Sequence, residues 1–222
     1  MAHAENEKHG PVEAQAEKIA GEADSVRERV RRLILDTAGG DGLRLGSLRG
    51  AASAVLAGVG EGVQKISEER RGTVLAETID GISDAFERAA RATRLAIEEA
   101  EGRGERFTKD DLRQTADDLR TLEEMFKETV TGFAGRFADN IKDQTLDFTR
   151  HTTRAIESMR PAIEDAVEAA SRDPAGLAGQ AASAGVDTAR GVVGSIFSAA
   201  AGMLDAAGDI VSGDHKDKEA NG

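Results

Sequence analysis

From Leu119 to Ala170, apolar side chains recur at steps of three, four and four residues, and this repeat constrains the fold more than any other feature. The series is Leu119, Leu122, Phe126, Val130, Phe133, Phe137, Ile141, Gln144, Phe148, Thr152, Ala155, Met159, Ile163, Ala166 and Ala170, interrupted in character only by Gln144 and Thr152. Such steps close a repeat of about eleven residues, or ~3.67 per turn, near the natural twist of an α-helix. The stripe therefore stays on one side of a straight helix and has to be covered along its length. As one rod the stretch would measure roughly 75–90 Å at ~1.5 Å per residue. The alternative is a hairpin folded near Thr131 to Gly135. Pro161 lies inside the stripe and is expected to kink it, since proline removes a backbone donor.

The rest of the chain follows the same helical logic. Val12, Ala16, Ile19, Ala23, Val26, Val30 and Leu33 alternate steps of four and three, which predicts one helix opening near Pro11 and ending at the glycines around Asp41. A second helical stretch is expected from Leu43 to Glu101, with a soft point at Arg71-Gly72. Thr108 is a candidate cap for the third, with Asp110 and Asp111 placed to complement the helix dipole. Asp173-Pro174 would open a last helix ending near Ser212-Gly213. The predicted organisation is a polar tail over 1–10, an elongated amphipathic helical domain over 11–173, an Ala/Gly-rich C-terminal helix over 174–213 and a polar tail over 214–222. The fold class is all-α, an elongated bundle of long amphipathic helices with coiled-coil-like packing. Composition agrees: hydrophobic residues make up 39 % of 222, yet aromatics only 3 %, with seven Phe, no Tyr and no Trp. Thin seams of small and medium side chains suit that supply better than a thick core.

Gly42, Gly46, Gly50, Ala54, Gly58 and Gly62 follow one another at four-residue intervals. Glycine in a helix interior costs about 1 kcal/mol relative to Ala, and close approach of a second backbone is the usual compensation. Gly194, Ser198, Gly202 and Ala206 repeat the pattern near the C-terminus. The two segments are expected to pack on each other or on copies of themselves.

Chemistry has little to stand on. The glycines of 39–46 are as dense as those of a phosphate loop, but no strand precedes them and no Gly-Lys-Ser/Thr closes them. The four histidines are scattered, no Glu-x-x-His pair exists for a carboxylate-bridged metal site, and cysteine is absent. Asp110-Asp111, Asp117-Asp118 and Glu123-Glu124 lie off the apolar stripe and read as solvated helix faces. No catalytic residue, cofactor or metal site is expected, and the chain reads as a non-enzyme. With 41 acidic and 29 basic residues the net charge is −12, which disfavours nucleic acid as a partner. No signal peptide or membrane span is visible, so the expected location is cytoplasmic, with association to a granule or membrane surface.

Lack of Cys and Trp, an acidic balance, Ala-rich amphipathic helices and the long stripe make the chain resemble phasins, which coat polyhydroxyalkanoate granules. That resemblance implies a helical, self-associating protein on a neutral hydrophobic surface. Leu75 to Phe133, including Asp117-Asp118-Leu119-Arg120-Thr121-Leu122-Glu123-Glu124-Met125-Phe126, is similar to segments of an uncharacterised bacterial helical family, which implies no activity. The residues expected to meet a hydrophobic surface or another helix are Leu119, Leu122, Phe126, Val130, Phe133, Phe137, Ile141, Phe148, Met159 and Ile163. Gly42, Gly46, Gly50, Gly58 and Gly62 are expected to make close helix packing. The leading expectation is a structural protein coating a hydrophobic granule or neutral lipid surface. The alternatives are a coiled-coil scaffold that forms a homo-oligomer or binds a protein partner through its helices, and a membrane-active helical protein.

Overall fold

A computed structural model describes residues 2–22, 24–40, 43–103, 107–136 and 145–172, with six positions between 196 and 204, the side chains of 2–9 and 145–147 excepted. Six helices follow in order: α1 Ala2–Glu22, α2 Val26–Gly40, α3 Leu45–Val63, α4 Glu68–Gly102, α5 Lys109–Arg136 and α6 Thr145–Ser171. Ile196, Ala199 to Gly202 and Leu204 are helical as well, and there is no strand among the described residues. The protein is all-α.

Several boundaries differ from those the periodicity predicts. Helix α1 starts at Ala2 and carries Pro11 within it, so helical backbone runs through the stretch read as a polar tail. The single helix expected from Pro11 to Leu33 is two, because Ser25 adopts φ 56, in the left-handed region that ends a helix. Asp24 and Ser25 are residues whose side chains compete with helical hydrogen bonding, yet Val26, Val30 and Leu33 are buried as the stripe implies. The second break falls at Gln64–Ser67 instead of Arg71-Gly72, with extended Ser67 at the N-cap and Glu68 and Glu69 in the first turn of α4. At the α2–α3 corner Leu43 takes φ 54, donates its N–H to the Ala38 carbonyl at 2.8 Å and buries its side chain completely. Thr108 caps α5 as expected. Its Oγ1 accepts the Asp111 N–H at 3.1 Å and donates to the Asp111 carboxylate at 2.7 Å.

The long stripe is not one rod. Glu123 pairs with Arg160, Arg120 with Ser171 and Phe133 with Phe148, so α5 and α6 run in opposite directions against each other. Helix α5 continues through Thr131 to Gly135 as far as Arg136, so the chain does not fold back there; residues 137–144 lie outside the described residues. Pro161 sits at an exposed position of α6, where its missing donor is tolerated. Helix α6 lies along α4 in the same direction, tied by the Ser83 hydroxyl donating to the Ala155 carbonyl at 2.9 Å. Helix α2 lies against α4, tied by a paired Arg27 and Asp84 at 2.7 and 2.8 Å. Helix α1 runs alongside α3. One buried cluster joins side chains from all six helices and from Ala200 and Ala201. A second, containing Ile97, Ala100, Phe107, Leu112, Ala116, Ala169, Ala170 and Ile196, fills the far end of α4 and α6.

The glycine strip is used over half its length, and its partner is α1. A Cβ on Gly58 would overlap the Glu13 carbonyl, and one on Gly62 would stand 2.6 Å from the Ala20 Cβ. Around Gly46 and Gly202 there is open space; Gly50 is half-buried, and Gly42 lies outside the described residues. Gly58 and Gly62 thus pack on Ala16 and Ala20 of α1, while Gly194, Ser198 and Ala206 of the C-terminal series lie outside the described residues. Gly81 of α4 makes an equally close contact, since its Cβ would fall 2.5 Å from the Arg27 carbonyl of α2. Sequence reasoning missed it, although Thr78, Gly81, Ala85, Ala89, Ala92 and Ala96 form a helical series of small residues, all buried.

Gly58→Ala should lower unfolding free energy by about 1–3 kcal/mol through overpacking. Gly132→Ala, at an exposed α5 position with nothing nearby, should raise it by ~0.5–1 kcal/mol. Urea denaturation of the two variants beside the parent checks both signs.

Candidate interaction surfaces

The stripe residues named from sequence are brought together, and they face inward. Phe126, Phe133, Met159, Val130, Leu122, Leu119, Ile163 and Phe148 are all buried; Phe137 and Ile141 lie outside the described residues. Their cover comes from within the chain. The Phe86 ring of α4 meets Phe126 edge-on with centroids 5.8 Å apart, and Phe133 stacks on Phe148 at 6.0 Å. Rings in these arrangements gain ~0.5–1.5 kcal/mol beyond their buried area. Helix α4 contributes Leu75, Ile79, Ile82, Phe86 and Ala90 to the same core. Among the described residues Leu95 is the one exposed large hydrophobic side chain, at 47 %.

The outer faces are charged. Arg160 and Glu123 pair across α5 and α6 through two hydrogen bonds of 3.1 and 2.8 Å, and the guanidinium holds the Glu123 carboxyl below its ordinary range. Lys65 pairs with Glu17 across α3 and α1, Arg29 with Glu22 at 2.7 Å and Arg49 with Glu128 at 3.4 Å. Exposed pairs of this kind contribute ~0–1 kcal/mol each. They fix register more than they hold the fold together.

Two open grooves interrupt this surface. The one between α4 and α6, of 430 Å³, has Leu75 and Phe148 in its wall with Glu69, Glu77, Asp80 and His151 around them. The His151 Nδ1 is 3.8 Å from an Asp80 oxygen and forms no hydrogen bond. The other, of 390 Å³, runs between α1 and α3 past Gly10, Ala14, Ala57 and Gly58, with Glu13, Glu17, Glu61 and Arg136 along it. No group of three His, Asp or Glu with metal-holding geometry occurs among the described residues.

Of the acidic pairs read as solvated, Asp110, Asp117 and Glu124 are exposed, whereas Asp111 caps α5 and Glu123 holds Arg160. Asp118 departs from the expectation. It lines a small cavity otherwise made by Leu43, Leu45, Leu48, Ala89, Ala90, Thr93, Leu119 and Leu122. Burial, then the neighbouring Asp117 charge, push its carboxyl above the ordinary range.

With this arrangement established, comparison with known proteins gives one match. A family model described as "Family of unknown function (DUF6781)" covers residues 2–211. The chain belongs to that family. No curated protein and no solved structure matches it. No helix among the described residues is long and apolar enough to cross a membrane.

Phe126→Ala should cost ~3–5 kcal/mol of stability, as expected for an aromatic deleted from a packed core. Leu95→Ser should stay within about 0.5 kcal/mol of the parent. Thermal melts of the two variants test whether the stripe is interior in solution.

Proposed function

We propose that the protein is a non-catalytic helical scaffold that meets protein partners, or further copies of itself, through its charged outer helix faces. The observation that carries this reading is the burial of the stripe. Leu119, Leu122, Phe126, Val130 and Phe133 are spent on the protein's own fold, which leaves polar and charged side chains to make external contacts. Charged faces with ion pairs between helices suit selective contacts, because like charges brought together disfavour wrong partners.

A second reading, coating a hydrophobic granule or neutral lipid as phasins do, draws on the concentration of Phe126, Phe133 and Phe148 in a single hairpin. Each would contribute about 1.5–3 kcal/mol on a nonpolar surface. In the closed bundle the three rings are covered, so coating requires the hairpin to open first.

The two readings separate when purified protein is incubated with polyester particles and triolein droplets at low and moderate salt, beside sedimentation of the free protein. A scaffold stays in solution as a defined species and leaves a hydrophobic dye dark. Saturable adsorption of the folded protein would overturn the scaffold reading in favour of coating.

A further inference from the structure

We infer that α5 is the helix that leaves the closed bundle first, along the seam where Asp118 lines the apolar cavity between α3, α4 and α5. This goes beyond the scaffold reading and does not depend on it. The groups facing Asp118 across the cavity are Leu43 at the α2–α3 corner, Leu45 and Leu48 of α3, and Ala89, Ala90 and Thr93 of α4. None of these carries a charge. Thr93, the one with a hydroxyl, donates it to the Ala89 carbonyl of its own helix at 2.8 Å. On α5 itself, Arg120 is engaged by Asp117 at 2.7 Å, and Asp117 adds a like charge beside Asp118. The partly exposed Asp118 side chain thus stands at the edge of an apolar cavity with no counter-charge among the residues that line it, and half-burial of that kind weakens the closed form.

The other contacts of α5 point to the same seam. Toward α6 it has the doubly hydrogen-bonded Arg160–Glu123 pair, the Arg120–Ser171 contact and the Phe133–Phe148 stack. Toward α3, among the described residues, it has the exposed Arg49–Glu128 contact at 3.4 Å, and toward α4 the Phe86–Phe126 edge contact. The α4–α6 interface, by contrast, holds a buried hydrogen bond from Ser83 to Ala155. Movement of α5 away from α3 and α4 uncovers Leu119, Leu122, Phe126 and Val130 together. The bundle therefore carries a built-in place at which its apolar stripe becomes available.

The sign of the pH effect follows from the raised carboxyl. Stability from protonated Asp118 is fully present below the ordinary Asp range and is lost as pH rises through the raised folded-state value. At neutral pH the ionised group works against closure.

The test combines Asp118→Asn and Asp118→Leu with an exposed control, Asp110→Asn. Both Asp118 variants should melt ~2–4 °C above the parent at pH 7, and the gap should close as the pH falls below the carboxylate range. The control should melt with the parent throughout. Hydrogen exchange at neutral pH should show α5 amides of the parent exchanging several-fold faster than those of α4 and α6, with α5 selectively slowed in the Asp118 variants. A gap that is absent or independent of pH in the isosteric Asn variant overturns the inference. So does exchange in α5 no faster than in α4. Neither readout involves a partner or an adsorbing surface, so the scaffold reading can fail while this stands, and the reverse.

Discussion

The apolar stripe that begins at Leu119 has to lie against something: its α5 half meets α6 and α3, and its α6 half lies along α4. The Phe86–Phe126 contact stands at the centre of that arrangement, with the hairpin of α5 and α6 closing around it. Helix α2 is then placed by Gly81, which lets its backbone approach α4 to within the distance a side chain would occupy. Helix α1 is placed on α3 in the same manner by Gly58 and Gly62. Large side chains in the middle and missing side chains at the flanks allow a chain with few aromatics to fill its interior.

Charges are consequently a surface property, and most come as pairs within or between neighbouring helices. The bidentate Arg27–Asp84 and Arg160–Glu123 pairs sit where two helices must keep one register. Planar guanidinium–carboxylate pairing specifies geometry better than a lysine contact does. Asp118 departs from this, a partly exposed carboxylate at the edge of an apolar cavity, and Arg31 is partly desolvated as well. An otherwise consistent bundle that keeps such a group at one seam has separated stability from closure at that place.

The sequence was most informative where the pattern was long. Helical character over Leu119 to Phe133 and Phe148 to Ala170 follows from the stripe, and the Thr108 cap from its place just before a first turn that carries Asp110 and Asp111. Breaks were harder to read. Nothing in the spacing around Ser25 interrupts the heptad, because a turn of few residues can preserve the phase of the stripe on either side. The break at Gln64–Ser67 was obscured by apolar residues that continue through Val63 and Ile66. The tight contacts at Gly58 and Gly62 were visible as a strip, but open space around Gly46 shows that four-residue spacing alone does not say where a second backbone approaches.

What the sequence determined by itself is the all-α class, the position of the apolar stripes along the helices and the absence of a recognisable catalytic motif. These depend on residue periodicity and side-chain chemistry, which are local. Tertiary structure alone decided that the stripe folds into a hairpin, that α4 covers its α6 half, that α1 occupies the glycine strip and that Asp118 stands at the edge of an apolar cavity. Partner choice depends on registers between residues far apart in the chain, and a helical pattern carries no label for the face it will meet.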